Sequence, residues 1–434
     1  MALERKRKKK EIVRTLAEGY HEVDQQYGRL HWTPPPMDHR FLRFKRIGTS
    51  TLVDIFLKFV RPDLVDDIIR HSDLGDCILS HNPFRARLPT IKDVYIILAI
   101  TIRIQGLHIC PMLNTKNIRP RRTAILESIH YFQLLLPNGY HLGINIVEKY
   151  MSLAMFDRNY YSQISSNFQD CIINLGESCA GDEKLFRYTG HGQDVRFVPR
   201  KPSRIGLWFY ELCAPLRNGG QFLLFAQLHE NASVVESWAN IILDKGNGET
   251  LLTMDSYYMD NASKNLLDNK DVKYIAAFSS QRFTSLMNAM KDKVTKPEDK
   301  YTIFNPTTQH SITLYYSPDE KLGKKWVMSN ACEHQISNTV GQGVPLSDLY
   351  RATFSVCDNF NRSLHDRTWP LRKGGFNKSG YRGKEHDFIF SCILHNTFEY
   401  FFDVRDVASS TIDFRNNCEV LARELFLHAQ RHSN

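Results

Sequence analysis

Residues 178–186 read SCAGDEKLF, and at this stretch the texture of the chain changes. Upstream, apolar residues recur at three and four, as in Leu52, Ile55, Phe56 and Phe59 or Ile91, Val94, Ile97 and Leu98, which is the spacing of a helix face. From Ser178 onward that period gives way to short apolar or alternating runs divided by turn residues. The pattern predicts strands over 178–188, 195–198, 205–213, 221–228, 251–255 and 273–278, with helices over 234–243 and 262–267. Strands in succession, then helix, strand, helix, strand, imply an α+β fold: a mixed sheet with helices packed against it.

Further along, residues 295–345 carry polar β-like pieces at 301–304, 311–316 and 326–329, which read as an inserted β-subdomain. Ser347 is expected to cap a helix running to Leu364, with Leu349, Ala352, Val356, Phe360 and Leu364 on its apolar face. A Gly-rich basic loop, 369–384, then precedes a last apolar helix over 388–401. Working back toward the N-terminus, Thr90 starts and Gly106 ends one helix of a helical region. Thr33-Pro34-Pro35-Pro36, with fixed backbone angles and missing donors, closes a charged arm. The expected organisation is an arm over 1–40, a helical DNA-binding and dimerising region over 41–177, a sheet domain in two pieces (178–294 and 346–405), the insertion at 295–345 and a helical tail over 406–434.

With 434 residues, 42% hydrophobic and 24% charged, the chain has material for a sizeable core and is neither collagen-like nor disordered throughout. Its longest apolar run, Val94 to Ile102, is stopped by Arg103, short of the roughly 20 residues a bilayer span needs, so no membrane partner is expected. The opening MALERKRKKKEIVR lacks the apolar centre of a secretory signal. Nine scattered cysteines with no Cys-x-x-Cys pair argue against a disulfide framework or a cysteine-built zinc module. Cys332 with His334 and Cys392 with His395 come from distant segments, which disfavours zinc. The formal charge is +9, and the first 46 residues alone hold 12 Lys/Arg against 6 Asp/Glu. The run Arg5–Lys10 is either a solvated tail or a nuclear address.

Three acidic residues stand out. Asp182 lies inside the first strand, Asp255 ends a buried-looking one, and Asp358 sits on the helix after Ser347, away from its apolar face, sharing the outward side with Asn361 and Phe354. Carboxylates delivered from two neighbouring strands and a packed helix supply hard oxygen ligands for two Mg²⁺ (or Mn²⁺) ions. Such an ion pair serves in-line displacement at phosphorus. By spacing alone, 47 acidic residues offer many such triples, and a solvated or salt-bridged carboxylate is the competing reading. Basic segments are candidate phosphate contacts: Arg119, Arg121 and Arg122; Arg200, Lys201 and Arg204 beside the first Asp strand; and Arg372, Lys373, Lys378 and Arg382 among interleaved aromatics. No Gly-x-Ser-x-Gly or Gly-x-x-x-x-Gly-Lys-Ser/Thr occurs, so serine hydrolysis, nucleotide-driven chemistry and a small-molecule cofactor are not expected.

The segment Gly181-Asp182-Glu183-Lys184-Leu185, followed by Lys201-Pro202-Ser203-Arg204-Ile205-Gly206, resembles the first-Asp strand and Lys-Pro-x-(Lys/Arg)-x-Gly signature of the piggyBac-type DDE transposases. Met254-Asp255-Ser256-Tyr257-Tyr258, Val356-Cys357-Asp358-Asn359-Phe360-Asn361 and His395-Asn396 continue the resemblance in order. The resemblance implies an RNase H-like fold in which Asp182, Asp255 and Asp358 are the metal-binding catalytic carboxylates. It also implies a nuclear, homodimeric enzyme that excises and inserts double-stranded DNA at TTAA sites, cutting at transposon ends. Asn361 stands where the family often has a further Asp, able to ligate without adding charge, and the family's terminal Cys/His module has no counterpart before Asn434. The alternative is a domesticated, catalytically silent DNA-binding or chromatin-associated protein.

Overall fold

The computed structural model describes residues 21–22, 41–45, 50–71, 90–106, 119–134, 155–188, 192, 194–199, 204–229, 234–246, 248, 250–277, 294–296, 299–305, 307–316, 323–331, 346–367 and 380–431. Two short strands, β1 (His21–Glu22) and β2 (Arg43–Phe44), come first. Helices α1 (Leu52–Phe59), α2 (Pro62–His71), α3 (Ile91–Gly106), α4 (Arg119–Leu134) and α5 (Tyr161–Asp170) follow. Capping boxes start two of them. Thr51 and Asp54 exchange side-chain and backbone hydrogen bonds at α1, and Thr90 and Asp93 do so at α3. Helix α3 is buried almost all round, which explains its unbroken apolar run.

The sheet region begins with β3 (Ile172–Asn174), which pairs with β2. Next come β4 (Ser178–Arg187), β5 (Val195–Phe197), β6 (Ile205–Pro215) and β7 (Gln221–Leu228). Helix α6 (Val234–Lys245), β8 (Leu251–Met254), α7 (Asn261–Asn269) and β9 (Tyr274–Ala277) complete the alternating part. β6 runs antiparallel to β4 and to β7, whereas β4, β8 and β9 are mutually parallel. The result is the expected mixed sheet, flanked by helices.

Strands β10 (Lys300–Asn305), β11 (His310–Tyr316) and β12 (Lys324–Ser329) lie where the inserted β-pieces were expected. They join the main sheet, because β12 pairs antiparallel with β9 through Val327↔Ala277, Met328↔Ala276 and Ser329↔Ile275. β1 adds to β10 at the far edge, so two residues of the expected arm are hydrogen-bonded into the ten-stranded sheet. Helix α8 (Leu346–Arg367) starts one residue before Ser347, so Ser347 is helical rather than a cap. Among its described side chains, Tyr350, Thr353, Val356, Cys357, Phe360 and Leu364 are buried and Ala352 is exposed instead of packed, while the side chain of Leu349 lies outside the described residues. Helix α9 (Gly380–Asp403) starts well before residue 388, absorbing the end of the expected basic loop.

The last helix, α10 (Phe414–Arg431), lies along α3. They approach so closely that a Cβ on Gly106 would sit 2.5 Å from Cys418 Cβ. Helix α9 closes the side of β7: the Asn396 amide donates to Leu223 O (2.9 Å) and accepts from Leu223 N (3.1 Å). Near its start, the buried Glu385 carboxylate accepts from Arg158 Nη2 at 2.6 Å, and the same nitrogen donates to Asp194 at 2.7 Å. One guanidinium therefore ties the lead-in to α5, helix α9 and the lead-in to β5.

Candidate active site

The two faces of the sheet can be told apart at β4. A Cβ on Gly181 would lie 2.4 Å from the Trp238 ring of α6, so Gly181 faces α6 and nothing larger fits there. Asp182, the next residue, points to the opposite face because strand side chains alternate. Its cross-strand partner Glu211 confirms the direction, since Glu211 Oε2 accepts from Asn361 Nδ2 of α8 at 2.9 Å. Asp182 is 8% exposed, and Glu211 is fully buried.

Asp255 follows β8. The parallel register pairs Gly181 with Met254, so Asp182 and Asp255 stand one step beyond it on adjacent strands, whose backbones are about 5 Å apart. Two bonds seat α8 across these strands: Thr253 Oγ1 donates to Thr353 Oγ1 at 2.7 Å, and Cys357 Sγ donates to Ala180 O at 3.1 Å. The helix thus passes over β8, β4 and β6 in turn, and Asp358 stands exposed next to Cys357. The Tyr350 hydroxyl is held well above its ordinary pKa by burial, then by Asp255, with Tyr315, Asp182 and Asp358 adding to it. Cys357 is pushed up to about 11, first by burial, with Asp182, Glu211 and Asp358 contributing.

Lys184, two residues beyond Asp182, donates to Asn361 O at 3.5 Å. Burial lowers its pKa, against the opposing pull of Glu211 and Asp358. Asn361 is accordingly half-buried and turned toward the sheet, where the sequence pattern expects it outward beside Asp358. Its Oδ1 is a buried atom without a hydrogen-bond partner. Carboxylate oxygens with one such amide oxygen are the donor chemistry that Mg²⁺ or Mn²⁺ takes. Among the described residues, however, no three His, Cys, Asp or Glu lie close enough to hold a metal ion by themselves. The donors fit in kind, and their spacing is open.

Of the expected phosphate contacts, Arg204 is exposed at the start of β6. Arg119, Arg121 and Arg122 lie in the first turn of α4 rather than a loop, and Arg382 lies in the first turn of α9; their side chains are outside the described residues. Arg200, Lys201, Arg372, Lys373 and Lys378 also fall outside them, as do Cys332 and His334. His395 is spent on the fold, its Nε2 lying 2.9 Å from Gln221 O. Sequence reasoning passed over Glu211 and Lys184. The signal for Glu211 was a lone acid in the apolar run IGLWFYELCAP.

No protein-family model matches the sequence, and no curated protein matches it either. Among solved structures, the chain is similar to the cryo-EM structure of a piggyBac transposase synaptic complex with hairpin DNA, with a TM-score of 0.67 and 12% identity. The match covers 91% of this chain and 84% of that one. The mixed α+β architecture that carries Asp182, Asp255 and Asp358 is therefore similar in fold to that piggyBac transposase.

Proposed function

We propose that the chain is a DNA transposase of the cut-and-paste type, cleaving and joining double-stranded DNA at TTAA sites as a nuclear homodimer. The observation that carries this reading is the register of β4 and β8, which stands Asp182 and Asp255 one step beyond the Gly181–Met254 pair on adjacent strands, with α8, the helix of Asp358, bonded across both. The fold shared with a transposase bound to hairpin DNA supports it. Asp182, Asp255 and Asp358 would hold two divalent cations. Such cations supply charge stabilisation for the attacking and leaving oxygens of an in-line displacement at phosphorus. The chain's own residues prepare that spot. Asp182 and Glu211 gather negative charge on the α8 face, and the Lys184 ammonium and Asn361 amide offset part of it. Arg204 is available to a backbone phosphate beside the same strands.

The test is a Mg²⁺-dependent nicking and strand-transfer assay on TTAA-flanked ends, comparing the wild type with Asp255→Ala. Asp255→Ala is expected to lose roughly 10³-fold or more in rate, about 4 kcal/mol of transition-state stabilisation. Equal behaviour of the two proteins removes the enzyme reading. A second reading, a catalytically silent DNA-binding protein, draws on the open donor spacing and on the Asn361 amide being engaged by Glu211. It predicts DNA binding with no nicking by either protein.

A further inference from the structure

The face of the sheet opposite Asp182 carries a second cluster at the same end. In the antiparallel register, Tyr210 stands opposite Glu183, and Arg196 stands opposite Gly206, so the even-numbered residues of β6 share this face with Arg196. Trp208 and His229 meet edge to face at 4.8 Å, Tyr210 stacks on His229 at 5.1 Å, and Tyr257 tilts against Trp208 at 5.7 Å. Tyr258 extends the group to Trp238 at 4.9 Å and hydrogen-bonds Glu183 through its hydroxyl at 2.7 Å, which engages the acid at this place.

Three features separate this cluster from an ordinary core. Tyr257 is 54% exposed although it is a large ring among aromatic neighbours. Trp208 Nε1 and His229 Nδ1 have no hydrogen-bond partner, leaving a donor and a ring nitrogen unmatched inside the aromatic group. Burial, and next the exposed Arg196, lowers the His229 pKa. Position matters as much as composition. Tyr257 is two residues beyond Asp255, in a turn closed by Tyr258 N donating to Asp255 O at 3.2 Å. That turn carries the chain around the end of the sheet, from the carboxylate face to the aromatic face.

We infer that Tyr257, Trp208 and His229, with Arg196 beside them, form a stacking site for one unpaired nucleobase of a strand whose backbone lies at Asp255. The occupant is argued from complementarity: an open aromatic ring, Tyr257, for the face of a base and the exposed Arg196 for the adjoining phosphate. The inference rests on the DNA reading above and adds to it a place for a base that has left the duplex.

The test uses the full chain and two labelled oligonucleotides in anisotropy titrations: a blunt TTAA-containing duplex, and the same duplex carrying a three-nucleotide single-stranded tail. The wild type is expected to favour the tailed form. Tyr257→Ala should lower the ratio of tailed to blunt affinity roughly 5- to 100-fold, the range for removing one base–aromatic stack, and Tyr257→Phe should retain it. A ratio unchanged in Tyr257→Ala overturns the stacking site while leaving duplex binding intact. No binding of either oligonucleotide by the wild type overturns the DNA reading itself, and the stacking site with it.

Discussion

Asn361 illustrates how one amide is fixed by what lies beneath it. Its Nδ2 donates to the fully buried Glu211, and a carboxylate in the interior needs such donors to offset lost hydration. Asn361→Asp would exchange that donor for a second anion. The expected result, in metal-free buffer at pH 8, is a loss of roughly 1–3 kcal/mol in denaturant unfolding. A variant as stable as the wild type would show that the contact does not bear on the fold. Asp358 was legible in the sequence because it stood off an apolar stripe. The inward turn of Asn361 was not, since it follows from the path of α8 across three strands.

At the level of elements, Arg158 is the tie among α9, the lead-in to α5 and the lead-in to β5. Burial raises the Glu385 pKa, and the hydrogen bonds and charge of Arg158 pull it back. Arg158→Met leaves that carboxylate buried without its partner, and a loss of about 3–5 kcal/mol is expected in chemical unfolding. Exchanging both residues for apolar ones, as Arg158→Met with Glu385→Leu, should recover much of it. No recovery in the double variant would rule out the unpaired charge as the cause. This tie joins residues 227 apart in sequence, and no local period announces it. Strands β4 and β6 to β9 were readable because alternation is local. The start of α9 was not, because Gly380 and Gly383 read as loop.

Across the whole molecule, buried acids give stability a dependence on pH. Asp403 is raised to about 6, chiefly by burial, with Glu399 adding to it and the Asn218 N–H opposing. The folded chain therefore holds a proton there that the unfolded chain has released between about pH 4 and 6. Stability from this group is present below that window and is lost as pH rises through it. Asp403→Asn keeps an acceptor for Asn218 and removes the penalty. It should gain about 1–2 kcal/mol at pH 7.5, after discounting for partial exposure, and nothing at pH 4, as read by thermal melts. A gain that is the same at both values would point to another cause.

The seam between β12 and β9 has a mechanical consequence. Three backbone pairings, together with Ser329 Oγ donating to Tyr274 O at 2.6 Å, weld the strands after residue 300 to the scaffold that bears Asp255. Such a graft cannot swing like a flap without tearing a ladder, so a stiff polymer drawn across both parts must itself do the flexing.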